Sequence, residues 1–266
     1  IQEELFDIVH CHGSRANMIG AILKRTINIP IVTTVHSDYR LDYLGRPFHR
    51  LTYGTINTIS LRMFDYHIGV SDAMVQLLIS RGFNPQKLFS IYNGVAFPPE
   101  KPRLSREAYL ESLGVSFDKD TVVFGIAARL NPVKDIATLI RGFAGACKSC
   151  PNIRLVIAGD GEERQMLEGL AKETCPAGSV VFAGWVKDTD SFYHAIDVNM
   201  LTSLSEGSPY ALVEGARMRC ATIATSVGGI PYMMESGVTG LLFTPRDVET
   251  LTGYMVRLVE NPAFRK

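Results

Sequence analysis

The sequence predicts an α/β chain made of two doubly wound domains, each a parallel sheet covered by helices. Three observations predict it. Short apolar, β-branched runs alternate with helical patterns along the whole chain, as parallel sheets with helical crossovers require. A proline-rich stretch interrupts the alternation once, and the pattern then restarts. The 266 residues are 46% hydrophobic, which supplies two cores of ordinary size.

The first half opens with a strand over residues 6–10 and a helix over 16–25. Ile31-Val32-Thr33-Thr34-Val35 is a β-branched strand. A long helix is expected over 48–62 and a strand over 66–70. Ser71 and Asp72 cap a helix that runs to Ser80. A strand over 88–92 ends this half at the turn Asn93-Gly94. Residues 97–104 hold three prolines and read as the linker, which places the domains at 1–98 and 99–266. In the second half, strands are expected at 122–127, 154–158, 179–183, 198–201, 222–225 and 240–243. Helices are expected at 136–147, 163–172, 190–196, 210–219 and 250–259. Ligands of such sheets bind beyond the carboxyl ends of the strands, and a cleft between two such domains is a natural site.

Composition excludes several classes. Basic and acidic residues balance at 27 each, which argues against a nucleic-acid protein held by phosphate contacts. No run approaches the ~20 apolar residues of a membrane span. The five cysteines are an odd number, and Cys147-x-x-Cys150 has no second pair to complete a metal site. They read as structural or incidental thiols in a reducing, cytoplasmic setting. Arg40, Arg46 and Arg50 with Tyr39, Tyr43 and Phe48 form a candidate patch for peripheral contact with the inner face of a membrane. The plainer reading of those residues is a solvated loop and helix face.

The densest signal lies at Ser205-Glu206-Gly207-Ser208-Pro209-Tyr210-Ala211-Leu212-Val213-Glu214. Ser208 reads as a helix N-cap and Pro209 as the first helical residue. Glu206 then lies in the preceding loop, and Glu214 on the helix about one and a half turns in. The helix start between them offers free N–H groups and partial positive charge to an anion. Acceptors for sugar hydroxyls beside a cradle for phosphate suit a sugar–diphosphate donor. Arg129 and Lys134, in Ala128-Arg129-Leu130-Asn131-Pro132-Val133-Lys134, follow a strand directly. Two cations at such a turn can neutralise a diphosphate leaving group.

This constellation, followed by Ala224-Thr225-Ser226-Val227-Gly228-Gly229-Ile230-Pro231, resembles the retaining GT-B glycosyltransferases of the large family four, the glycosyl transferases group 1. The resemblance runs through nearly the whole chain. It implies a GT-B fold of two Rossmann-like domains, the first binding a glycan or glycolipid acceptor and the second a nucleotide-diphosphate sugar. Family members begin with a strand and glycine-rich loop ahead of the first strand read here, so a partial chain with an incomplete first domain is expected.

By resemblance, Arg129 and Lys134 stabilise the departing nucleotide diphosphate, although Ala128 and Asp135 stand where relatives often have glycine. Glu214 accepts from the ribose hydroxyls. Glu206 contacts the transferred sugar and favours positive charge at its anomeric carbon. The backbone of Pro209, Tyr210, Ala211, Leu212 and Val213 binds sugar hydroxyls or phosphate. The turn at Gly161 lines the nucleotide pocket, and backbone groups at Trp185 and Val186 contact the base. His36, at the carboxyl end of a strand, lies near the reacting centre; Asp38 and Tyr39 are weaker acceptor candidates.

No metal or other cofactor is expected. His10-Cys11-His12 lacks distant ligand partners, and Asp188-Thr189-Asp190 matches a manganese-binding spelling by coincidence. The resulting expectation is a metal-independent, retaining transferase that uses a UDP- or GDP-linked sugar in polysaccharide or cell-envelope biosynthesis. Two alternatives stand beside it. A nucleotide-sugar-binding module, inactive without further segments, would bind nucleotide without transfer. An epimerase on the same fold would be separated by its products.

Overall fold

Val9–His12 (β1), Ile31–Val35 (β2), Tyr66–Gly69 (β3) and Leu88–Ser90 (β4) pair in parallel, in that order across one sheet. Their crossovers carry Gly13–Leu23 (α1), Thr55–Leu61 (α2) and Asp72–Ser80 (α3). In the computed structural model the described residues are 6–41, 48, 50–96 and 102–266. They fall into two compact units: Ile1–Asn93 with Ser205–Ser208 and Gly228–Met233, and the remainder.

In the first unit every residue of β2 is buried. Met74 and Leu78 of α3 pack with Val35, Leu61, Phe83 and Leu88. Ala21 of α1 packs with Cys11, Ile31 and Phe64. A buried polar chain ties α1, α2 and β2 together. Thr33 donates to Asn17 Oδ1 at 2.7 Å, and Asn17 donates to Asn57 Oδ1 at 2.9 Å. Ser71 caps α3, as expected, by accepting from the Met74 amide.

The expected long helix over 48–62 is interrupted. Arg50–Gly54 is a wide π-type turn, and α2 begins only at Thr55. Thr52, Thr55 and Thr58 each donate a hydroxyl to the carbonyl four residues back. Such back-bonds loosen a regular helical ladder.

The second unit has six parallel strands: Val122–Ala127 (β5), Ile153–Ala158 (β6), Val180–Gly184 (β7), Val198–Leu201 (β8), Ala221–Thr225 (β9) and Leu241–Phe243 (β10). Their order is β10-β9-β8-β5-β6-β7. Helices follow at Arg106–Ser112 (α4), Ile136–Cys147 (α5), Arg164–Thr174 (α6), Thr189–Ala195 (α7), Tyr210–Arg217 (α8) and Val248–Glu260 (α9). Alternation along the strands feeds two cores. Val122, Phe124 and Ile126 face α5, α6 and α9. Val123, with Val156 and Ala158 of β6, faces α4 and α7. Both faces of the sheet are therefore covered, which explains its continuous apolar strands.

Of the proline-rich stretch, 97–101 lie outside the described residues. The chain is fixed again at Leu104, whose amide donates to Ser191 Oγ at 3.0 Å. Helix α4 had no expectation attached to it. Ser105 caps it, and Tyr109 and Leu110 bury against the sheet.

Candidate active site

In the second unit, β5 lies between β6 and β8, so the chain changes direction across the sheet at β5. The loops leaving the carboxyl ends of β5 and β8 therefore diverge from a switch point, where open α/β sheets bind ligands. The β5 loop carries Arg129 and Lys134. The β8 loop is tied to it: Leu204 N–H donates to Val133 O at 2.8 Å, and Thr202 Oγ1 donates to Lys134 O at 2.9 Å. Asp135 starts α5 with left-handed backbone, φ 46°, and its Oδ2 accepts from Thr138 Oγ1.

Gly161 packs against the same β5 loop. A Cβ there would lie 2.2 Å from Leu130 O, so only glycine lets the β6 turn approach this closely. Arg129 is held loosely, 3.6 Å from Glu162, with its side chain 64% exposed. A pair so exposed is worth ~0–1 kcal/mol and gives way easily to a diphosphate. Glu163 has a raised pKa, first through burial and then through the charges of Glu162 and Asp135.

Glu214 lies half-buried on α8. The helix is seated by Asn199 of β8, which donates to Ala211 O at 2.9 Å and lies against Gly215. The buried Tyr193 ring of α7 is a neighbour: burial, and then the Glu214 carboxylate, pushes its hydroxyl pKa up. A cavity of about 530 Å³ opens over Glu214 and Tyr210, with Lys187, Asp188 and Arg217 also in its wall.

One expectation about this helix is corrected. Pro209, not Ser208, is the N-cap, with ψ 123°, and no side chain caps the helix. The Ser208 hydroxyl instead lies buried against Met233 Sδ at 3.6 Å. The amides of Tyr210 and Ala211 therefore start the helix without a side-chain acceptor. Leu212 is buried, so it presents backbone alone, and Val213 is half-buried. Trp185 is 76% exposed, whereas Val186 packs among the residues around Phe192.

The first unit holds further candidate residues. Glu206 lies in the segment Ser205–Ser208 that packs with this unit. Its carbonyl accepts from Gly229 N–H at 3.3 Å, and Gly228 passes so close that a Cβ would lie 1.8 Å from that oxygen. Gly207 abuts the His36 carbonyl in the same way, at 2.3 Å. His36 is thus brought next to the Glu206 segment by backbone packing. Its ring Nε2 lies 3.0 Å from Nδ1 of His12. Its pKa lies below the ordinary value, first because surrounding protein displaces water, then because His12 and His10 oppose its charge.

Asp38 and Tyr39, expected as minor acceptor contacts, serve the fold. Asp38 pairs with Arg81 at 2.7 Å, and that guanidinium lies over the buried Tyr39 ring. Burial also removes Tyr39 from the expected membrane patch, of which Tyr43 and Arg46 lie outside the described residues.

The family model of the glycosyl transferases group 1 matches residues 113–266, more than half of the chain. The chain belongs to this family. The Glycosyltransferase Family 4 model matches residues 1–97. Among relatives, an uncharacterised glycosyltransferase of Methanocaldococcus jannaschii is 28% identical over 278 residues, covering 98% of this chain and 68% of that one. The UDP-Gal:alpha-D-GlcNAc-diphosphoundecaprenol alpha-1,3-galactosyltransferase of Escherichia coli is 25% identical over 270 residues, with the same coverage. The crystal structure of Anabaena HepE with UDP and glucose superposes with a TM-score of 0.82 at 22% identity, over 98% of this chain and 70% of that one.

This group 1 glycosyltransferase gives other employment to the residues that could suggest metal or redox chemistry. Asp188 caps α7 by accepting from Ser191 N–H and Oγ, and Asp190 pairs with Arg217. All five thiols are free. Burial pushes Cys147 up to about 11 and Cys220 up to about 12, away from nucleophilic or ligating thiolate. No helix among the described residues is long and apolar enough to cross a membrane.

Sequence reasoning missed the His12–His36 bond. The signal for it was strand register. His12 pairs with Thr34 across β1 and β2, so His36 follows on the same side two residues later.

Proposed function

We propose that this group 1 glycosyltransferase moves a sugar with retention of configuration from a UDP- or GDP-linked donor to a glycan or glycolipid in polysaccharide or cell-envelope biosynthesis, without a metal ion. The carrying observation is the pair Arg129 and Lys134 leaving β5 at the switch point, against a turn packed too closely for any side chain at Gly161. Cations and backbone amides at that place suit a diphosphate and can replace the charge of a divalent ion. A UDP-linked donor is favoured: the Anabaena structure holds UDP, and the E. coli relative is named for UDP-Gal. That relative's diphosphoundecaprenol acceptor also supports a lipid-linked glycan.

In the proposed reaction, Glu214 accepts from the ribose, and the amides of Tyr210 and Ala211 face phosphate or sugar. The bond between the anomeric carbon and the leaving phosphate oxygen breaks. Glu206 stabilises the resulting positive charge, and the acceptor oxygen attaches to the same face. Its proton passes to the departing phosphate, and His36 lines the reacting centre. Residues 1–98 serve the acceptor and 99–266 the donor. The five free thiols support a cytoplasmic location. Exposed Leu51, Ile56 and Ile59, with Ile19 and Ile22 of α1, support peripheral contact with the inner face of a membrane.

Titration calorimetry with UDP and uridine tests the core of this. Charge-assisted bonds contribute about 1.5–3 kcal/mol each, so Arg129→Ala or Lys134→Ala should weaken UDP by roughly 10- to 100-fold and uridine hardly at all. Equal losses for both ligands, or none, would remove these cations from the donor site.

A further inference from the structure

His36 is the first residue beyond β2, so no strand ladder fixes its side chain. The second torsion of a histidine ring is a soft, two-fold rotor unless a partner holds it. The partner here is a row of rings. His10 Nε2 lies 2.8 Å from Thr34 Oγ1, and Thr34 is buried in β2. The His10 and His12 rings follow with centroids 4.2 Å apart, and His12 and His36 with centroids 5.3 Å apart. The row ends on His36, through the 3.0 Å contact between His12 Nδ1 and His36 Nε2.

Two imidazole nitrogens at this distance share one proton. If His12 Nδ1 carries it, His36 Nε2 is the acceptor and His36 holds its own proton on Nδ1. If His36 Nε2 carries it, His36 Nδ1 is a bare lone pair. Either way the bond fixes both the orientation of the His36 ring and what its free nitrogen offers a ligand.

We propose that His12 is a positioning residue for the transfer reaction, acting by holding the His36 ring in one orientation and one tautomer. The proposal rests on the assignment of His36 to the reacting centre. The depressed pKa of His36 agrees with it, because a neutral ring is the form in which the tautomer carries information.

Imidazole nitrogen NMR on the full chain tests the bond directly. In the parent protein, His36 is expected in a single tautomer with one proton shared with His12. His12→Leu should return His36 to the tautomeric mixture of a free imidazole. His12→Asn, whose amide can occupy the Nδ1 position, should restore the single tautomer. A parent His36 already in the free mixture, an unchanged His36 in His12→Leu, or no recovery in His12→Asn would each overturn the proposal. UDP release from UDP-glucose then separates it from the reading beneath it. His12→Leu should slow release by up to roughly a hundredfold with little change in KM, the scale expected of a misplaced group, and His12→Asn should recover most of the rate. If His36→Ala is slow and His12→Leu is not, the proposal alone fails. If His36→Ala is as fast as the parent, the assignment of His36 fails and the proposal with it.

Discussion

Glu206 and Glu214 are held in different ways although one segment supplies both. Glu214 is set on a helix whose base is seated by Asn199, with the buried Tyr193 ring as a neighbour, so the backbone that carries it is fixed. Glu206 is fixed by its backbone: the carbonyl accepts from Gly229, and Gly228 closes over it. A carboxylate on a pinned loop can stabilise charge that develops in the transition state without contributing to ground-state nucleotide affinity. Glu206→Gln should therefore lower transfer by about a hundredfold or more while UDP affinity stays within about twofold. Parallel losses of turnover and UDP affinity would instead make Glu206 a nucleotide ligand. Both glutamates stand out in the sequence because their spacing and the Ser-Pro between them are local features. The His12 contact was not legible, because it depends on pairing two strands 22 residues apart, from His12 to Thr34.

At the scale of elements, what sequence pattern could and could not give divides along the same line. The cap at Ser71 is local, and it formed; the cap at Asp188 had no expectation attached to it. The start of α8 was misread by one residue because Pro209 keeps an extended ψ and a tertiary contact takes the Ser208 hydroxyl. Helix α4 escaped notice because it has only seven residues and its apolar pair, Tyr109 and Leu110, is too short to show a period. The α8–β8 contact seats the helix that carries Glu214. A Cβ on Gly215 would lie 2.4 Å from Asn199 Nδ2, the atom that holds Ala211 O. Gly215→Ala should cost about 1–3 kcal/mol of stability through overpacking. It should also weaken UDP binding, because the helix carrying Glu214 is lifted from its seat. Unfolding in denaturant with UDP titration of the folded variant checks both; full UDP affinity in a destabilised variant would show that the seat does not position Glu214.

At the scale of the whole molecule, alternation along the chain implied two parallel-sheet units but not the strand order. The order β10-β9-β8-β5-β6-β7 places β5 between β6 and β8, and that makes the β5 loop a switch point. The two units should also differ in how they respond to acid. His10, His36 and His67, all in the first unit, have pKa values below the ordinary 6.5, each mainly through burial. His67 is the most enclosed: it is buried, and although its Nε2–H donates to Leu61 O at 2.6 Å, which favours the charged ring, burial outweighs that bond and Arg62 and Lys87 also oppose the charge. When a folded pKa is depressed, the unfolded chain takes up protons first as pH falls, so stability is present above the unfolded value and declines below it. Asp118 and Asp247 of the second unit are shifted downward from 3.8, so they act at lower pH. Scanning calorimetry between about pH 7.5 and about pH 5.5 should therefore lower the melting of the first unit and leave that of the second in place. His67→Gln, which can still donate to Leu61 O but cannot gain charge, should flatten most of that slope. If both transitions move together, or if His67→Gln keeps the full slope, the buried imidazole is not what makes the first unit acid-sensitive.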